Sequence, residues 1–198
     1  MKTKHTLHNI WFYSWILVDY IVKYINLILF FFTILNSGKI NSQSWVQVGS
    51  DIDGEAAADL FGRSLASSNN GSIIAIGAPN NDGGGNVSGS VKVYQYSSGS
   101  WTQMGSDIDG EAVSNQVGYS VALSEDGLTL ATRYNSSAPY VRILRWNGTN
   151  WYEIGKVLDK DAYYGPVSSS RQYGNSLALS SDGNRIAIEC PGCGDTSN

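Results

Sequence analysis

Histidine is almost absent: His5 and His8 carry the only imidazoles among 198 residues. Both precede the first apolar stretch, so the rest of the chain can hold neither a histidine-dependent triad nor a histidine-ligated zinc. Cysteine is limited to Cys190 and Cys193, and proline to four residues. Charged residues make up 15%, the net charge is −4 and there is no basic run, which removes the electrostatic basis for nucleic-acid binding. A clean apolar run of bilayer length, about 20 residues, is also missing. Residues 10–35 are rich in apolar side chains, but Asp19, Lys23 and Asn26 interrupt them, and the unbroken core is only 27–35. What the chain does have is glycine, 22 residues, with 6 tryptophans and 12 tyrosines. That composition suits many short strands joined by glycine-rich turns.

Lys2 and Lys4 ahead of a short apolar core predict a signal peptide or a signal anchor over residues 1–40. A peptide of this kind is removed, whereas an anchor tethers the chain to a membrane; both place the remainder in the secreted or cell-surface compartment. A misassigned start and a buried core helix are the alternatives. Four Asn-x-Ser/Thr sequons agree with an exported chain: Asn70, Asn86, Asn135 and Asn147 all fall in predicted turns and are candidate glycosylation sites. Chance is the competing explanation, because Asn and Ser are common here.

Self-similarity organises residues 45–198. Gly62, Gly118 and Gly174 recur at a spacing of 56, each followed by a small-residue alternation: Ser64 and Ala66, Ser120 and Ala122, Ser176 and Ala178. Strands are predicted at 63–67, 72–78, 89–96 and 101–105 in the first unit. The second unit offers 119–124, 128–133, 140–146 and 151–155. The third has only 175–180 and 184–189. Asn-Gly or Asp-Gly turns separate the first two strands of each unit. The segment 45–49 matches a fourth strand. The repeats thus run over about 45–61, 62–105, 118–155 and 174–198. Four antiparallel strands per unit at this period predict an all-β fold, a partial β-propeller with two complete blades plus incomplete ones. Small residues suit the crowded innermost strand, and strands apolar on both faces, such as 73–76, need a neighbour on each side. A plain β-sandwich is the alternative. A closed ring needs about four blades or more, so the expectation is a fragment, a self-assembling chain or an open one.

Phe61-Gly62 followed by Gly77-Ala78-Pro79 resembles the FG-GAP repeat of integrin α-like propellers. The resemblance covers 45–198, with the full signature present once; the second unit has Val117-Gly118 and Arg133-Tyr134-Asn135 at those places, and the third Tyr173-Gly174 and Glu189-Cys190-Pro191. It implies an extracellular propeller used for adhesion or ligand binding. Many members also carry an Asp-rich calcium loop between the first two strands. Here those turns are Ser68-Asn69-Asn70-Gly71, Ser124-Glu125-Asp126-Gly127 and Ser181-Asp182-Gly183, and one or two carboxylates do not supply the 6–8 oxygens calcium takes. No cofactor and no metal site is therefore assigned.

The near-identical segments Asp51-Ile52-Asp53-Gly54-Glu55 and Asp107-Ile108-Asp109-Gly110-Glu111 cross between units. Their structural reading is a repeated Asx-type turn, and their functional reading a shallow cation or ligand site. The third unit has instead a longer connection with Asp159, Asp161, Tyr163, Tyr164 and Tyr173, a candidate binding loop. Cys190-Pro191-Gly192-Cys193 reads as a small disulfide loop, or as two cysteines with other partners, rather than as a redox motif. Trp45, Trp101, Trp146 and Trp151 recur at one blade position, which favours packing over a sugar-stacking platform. The function expected from the sequence is a non-enzymatic extracellular binding or adhesion module, with no catalytic residue and with an extracellular protein or glycan as ligand. The alternatives are a segment of a larger structural repeat protein without activity of its own, and a carbohydrate-binding or carbohydrate-active protein. Carboxylates converging in one cleft would favour the last.

Overall fold

The computed structural model describes residues 23–25, 44–135, 139–158 and 173–191. The chain divides into two compact units, residues 1–46 and 47–198. In the first, residues 23–25 are helical and 44–46 carry no regular structure. No helix among the described residues is long and apolar enough to cross a membrane. Most of the predicted signal segment lies outside the described residues.

The second unit is a partial β-propeller. Its first blade is β1 (Ser64–Ser67), β2 (Ile73–Ala78), β3 (Ser90–Ser97) and β4 (Ser100–Gln103), paired in that order, with β5 (Ile108–Asp109) also on β3. The second is β6 (Val121–Leu123), β7 (Thr129–Tyr134), β8 (Tyr140–Trp146) and β9 (Trp151–Leu158). The pair β10 (Leu177–Leu179) and β11 (Ile186–Ile188) begins a third. Every ladder within the blades is antiparallel. Register confirms the repeat: Ile74 pairs with Ser67, Leu130 with Leu123 and Ile186 with Leu179, so the three apolar residues occupy equivalent places.

The period-2 alternation of β7 explains why a blade needs two neighbours. Leu130 and Tyr134 join a cluster with Ile73, Ala75, Val91 and Val93 of the first blade. Ala131, on the opposite face, joins Ala122, Val141 and the third unit's Leu177, Leu179, Ile186 and Ile188. One strand thus supplies two cores. Among the described residues the first blade has such cover on one side only. Leu65 is 66% exposed, whereas its repeat equivalent Val121 is 8% exposed.

Contacts between blades repeat with the same spacing. Ser64 Oγ donates to Gly118 O at 2.8 Å, and Ser120 Oγ donates to Gly174 O. Asn69 N donates to Glu125 O (2.9 Å) and Glu125 N to Ser181 O (3.0 Å). Gly77 is demanded by this approach, since a Cβ there would lie 2.0 Å from Gly118 O.

Two expectations are corrected. Residues 45–49 form no strand, and Trp45 is 92% exposed. A fourth strand pairs with the third strand of its own blade, and none precedes residue 45 in the described chain. Trp101 and Trp151 are clasps: their indole N–H groups donate to Val48 O (2.9 Å) and Met104 O (3.0 Å), one residue before Gly49 and Gly105. The second difference is in the outer strand of blade one, which is broken. Its end, β5, returns to β3 at Ser90 and Val91, whereas β9 runs unbroken to Leu158 and accommodates a bulge opposite Ile143 and Leu144.

Candidate functional site

The acidic segment at 107–111 follows the outer strand of blade one, and its side chains meet β8 and β9 of blade two. Asp107, Asp109, Glu111, Arg142 and Trp151 line one cleft of about 210 Å³ between the two blades. The repeat dictates most of its bonding. Gln103 Nε2 donates to Asp107 Oδ1 at 2.7 Å, as Gln47 Nε2 does to Asp51 Oδ1 at 2.9 Å. Glu111 approaches Arg142 (3.4 Å), as Glu55 pairs with Lys92 (2.6 Å). Asp107 also reaches Lys92 at 3.3 Å. The expected Asx-type turn is not what these carboxylates form: Asp51 and Asp107 accept from glutamine side chains, Glu55 and Glu111 pair with Lys92 and Arg142, and neither Gly54 nor Gly110 has a positive φ.

Asp109 is the exception. Its backbone pairs with Ser90 in β5, and its carbonyl accepts the Tyr134 hydroxyl at 2.7 Å. Its carboxylate has no hydrogen bond or ion pair among the described residues. Burial pushes this carboxyl above the ordinary aspartate range, and the charges of Asp107 and Glu55 push it further, against the pull of Lys92. A half-buried, unpaired carboxyl with a raised proton affinity has the properties of a general acid or base. Its repeat equivalent Asp53 is exposed.

Arg142 is the positive pole of the cleft. Its Nε donates to Glu153 Oε2 at 2.6 Å, its Nη1 donates to the Tyr134 hydroxyl, and its Cζ lies 4.7 Å from that ring's centre. Burial raises the Tyr134 phenol to about 12 despite the guanidinium beside it. The tyrosine is therefore protonated at neutral pH. Tyr134 also stacks on Tyr140 with ring centres 5.0 Å apart. This block holds Arg142 in place beside the cleft.

On the opposite ends of the strands the turns once compared with calcium loops line an open depression of about 460 Å³. Asp126 and Asp182 serve the turns themselves. Asp126 Oδ1 accepts Ser124 Oγ (2.6 Å) and Leu128 N (2.9 Å); Asp182 Oδ1 accepts Ser180 Oγ (2.5 Å) and Asn184 N (3.0 Å). Those bonds hold both carboxyls below the ordinary aspartate range. No group of three or more metal-ligating side chains occurs among the described residues.

The sequons are dispersed. Asn70, Asn86 and Asn147 are exposed, while the Asn135 amide donates to Gln116 Oε1 at 3.1 Å and the Ser88 of the second sequon is fully buried. Cys190 is disulfide-bonded. Cys193 and the loop residues Asp159, Asp161, Tyr163 and Tyr164 lie outside the described residues; Tyr173 is buried in the core shared with the third unit.

No protein-family model matches the sequence, and neither does any curated protein. Among solved structures, the chain is similar to a protein of Bacteroides fragilis assigned as a 6-phosphogluconolactonase. The TM-score is 0.49 at 17% identity, over 78% of this chain and 39% of that one. It is also similar to the periplasmic gluconolactonase PpgL of Pseudomonas aeruginosa. There the TM-score is 0.45 at 19% identity, over 64% of this chain and 36% of that one. The chain thus spans less than two-fifths of either structure.

These findings correct the identification with FG-GAP repeats, and with it the expected non-enzymatic adhesion glycoprotein: the structures the chain is similar to carry the names of lactonases. The physical reason is visible at Gly62 and Gly77. Gly62 has a φ of 87°, and Gly77 has no room for a side chain beside Gly118. Both glycines answer to blade geometry, so the short signature reports a propeller and not one family of propellers.

Proposed function

We propose that this chain belongs to a carbohydrate-active enzyme, with Asp109 as its general base and a sugar lactone as the substrate class. The observation that supports it is the convergence of Asp107, Asp109 and Glu111 with Arg142 and Trp151 on one cleft, with Asp109 alone unpaired. Ionised Asp109 takes a proton from water, the resulting hydroxide adds to the lactone carbonyl, and the ring C–O bond then breaks. The departing ring oxygen takes the proton from Asp109 and leaves as a hydroxyl, so the product is an open-chain hydroxy acid. Arg142 stands beside the cleft as a cation for the developing oxyanion. Trp151 offers an apolar wall to a sugar face.

The lactonase names of the two similar structures decide which substrates are tried first. Hydrolysis of gluconolactone-type substrates, followed by acid release, tests the reading. Asp109→Asn is expected to lower turnover by about 10²–10⁴-fold, the usual contribution of a positioned base. Unchanged turnover in that variant would remove Asp109 from the mechanism. The uncovered blade face at Leu65 favours a second reading, a repeat segment of a larger protein that is inactive alone; complete absence of hydrolysis would support it. A secreted or cell-surface location is part of the proposal, with a glycan or free sugar derivative as the partner.

A further inference from the structure

The inner ends of the three repeats carry a second cluster. Arg63, Tyr119 and Asn175 occupy one repeat position, each directly after a glycine in the left-handed region: Gly62 (φ 87°), Gly118 (φ 82°) and Gly174 (φ 76°). The same backbone turn thus presents a different side chain from each blade. A fourth residue, Arg133 of β7, lies opposite Ser120; the equivalent places hold Gly77 in the first unit and Glu189 in the third.

These side chains meet. The Cζ of Arg63 lies 4.9 Å from the centre of the Tyr119 ring, and that of Arg133 lies 5.0 Å from the same centre. Arg63 Nη2 donates to the Tyr119 hydroxyl at 3.3 Å, and Arg133 Nη1 donates to Asn175 Oδ1. Arg133 is only 9% exposed, yet its Nε has no hydrogen-bond partner. Among the described residues neither guanidinium lies within ion-pair distance of a carboxylate, whereas Lys92 and Arg142 each have two. Glu189, although placed by register in the third unit, makes no ion pair with Arg133.

One aromatic ring readily holds one cation. Two like charges on one ring repel, and a buried guanidinium without a counter-ion is costly. Burial accordingly pulls Arg133 below the ordinary arginine range. An oxyanion answers all three costs together. It neutralises both charges, occupies the orphan Nε–H and uses the forked donors that suit arginine to carboxylates and phosphates.

We propose that Arg63, Tyr119, Arg133 and Asn175 form a binding site for the oxyanion of a small ligand, either a carboxylate or a phosphate group. The site is built from different residues than the Asp109 cleft and stands whether or not Asp109 is a catalytic base.

The test is titration of the full chain with inorganic phosphate and, separately, with gluconate, in a low-salt buffer free of other oxyanions, read by calorimetry. Saturable binding of either ion is expected, and which of the two binds identifies the group. Arg63→Met removes an exposed side chain and leaves the core intact; it is expected to weaken binding about tenfold, the loss of one charge-assisted contact. Arg133→Lys keeps the charge but loses the fork, and is expected to weaken binding while melting normally. Asp109→Asn is expected to bind phosphate like the parent, which separates this site from the proposed chemistry. Absence of saturable binding by both ions would overturn the proposal, as would affinity equal to the parent's in both Arg63→Met and Arg133→Lys.

Discussion

Truncating Leu130 and Ile74 to alanine measures what a neighbouring blade contributes. The two residues are repeat equivalents with the same strand pairing. Leu130 is fully buried against the first blade, whereas Ile74 points to the side that no blade covers among the described residues and is half-buried. Leu→Ala removes the transfer energy of three carbons, about 2.4 kcal/mol, and leaves a cavity that brings typical losses to about 3–5 kcal/mol. Ile74→Ala removes atoms already in contact with water and leaves no closed cavity, so about 1 kcal/mol is expected. For a unit of this size each kcal/mol lowers the melting temperature by about 2–4 °C, so Leu130→Ala should melt roughly 6 °C or more below the parent. Urea unfolding with an unchanged slope is the assay. Equal losses at the two positions would refute the claim that blades stabilise one another across their faces.

Further expectations follow from other contacts. Gly77→Ala places a methyl where Gly118 O stands 2.0 Å away, and is expected to cost about 3 kcal/mol or to prevent folding, read by near-UV circular dichroism and urea melts. Ser120→Ala removes the donor to Gly174 O and is expected to cost about 1–2 kcal/mol, with Ser64→Ala similar, since each joins adjacent blades. Asp126 has a lowered proton affinity in the fold, so its contribution is present above the unfolded aspartate value and is lost as pH falls through the folded one; Asp126→Asn should flatten the acid limb of the stability curve. Asp109 behaves oppositely. Its folded affinity for the proton is raised, so stability falls as pH rises through the raised value, and Asp109→Asn should be more stable than the parent at neutral pH while losing turnover.

The blades were legible in the sequence because their causes are local and repeated. Small residues at 64, 66, 120 and 122, doubly apolar strands such as 73–76, and Asn-Gly or Asp-Gly turns each impose their geometry without distant help. The segment 45–49 misled because a strand's pattern says nothing about whether its partner exists. The cleft was half legible. Both acidic crossings stood out, but Asp53 and Asp109 look alike in sequence and differ only in the burial that folding gives one of them. The arginine cluster was visible only as a departure from the repeat. Arg133 stands where the first unit has Gly77, and the loss of a signature glycine there marks the place where side chains of adjacent blades converge.

The most direct measurement is a pH titration of the aspartate side-chain carboxyls by carbon-13 NMR, with Asp109 and Asp126 followed in the same sample. The account predicts that Asp109 titrates above an ordinary aspartate and Asp126 below it. If Asp109 titrated at or below the position of Asp126, its carboxylate would be a paired structural group and the cleft would have no base.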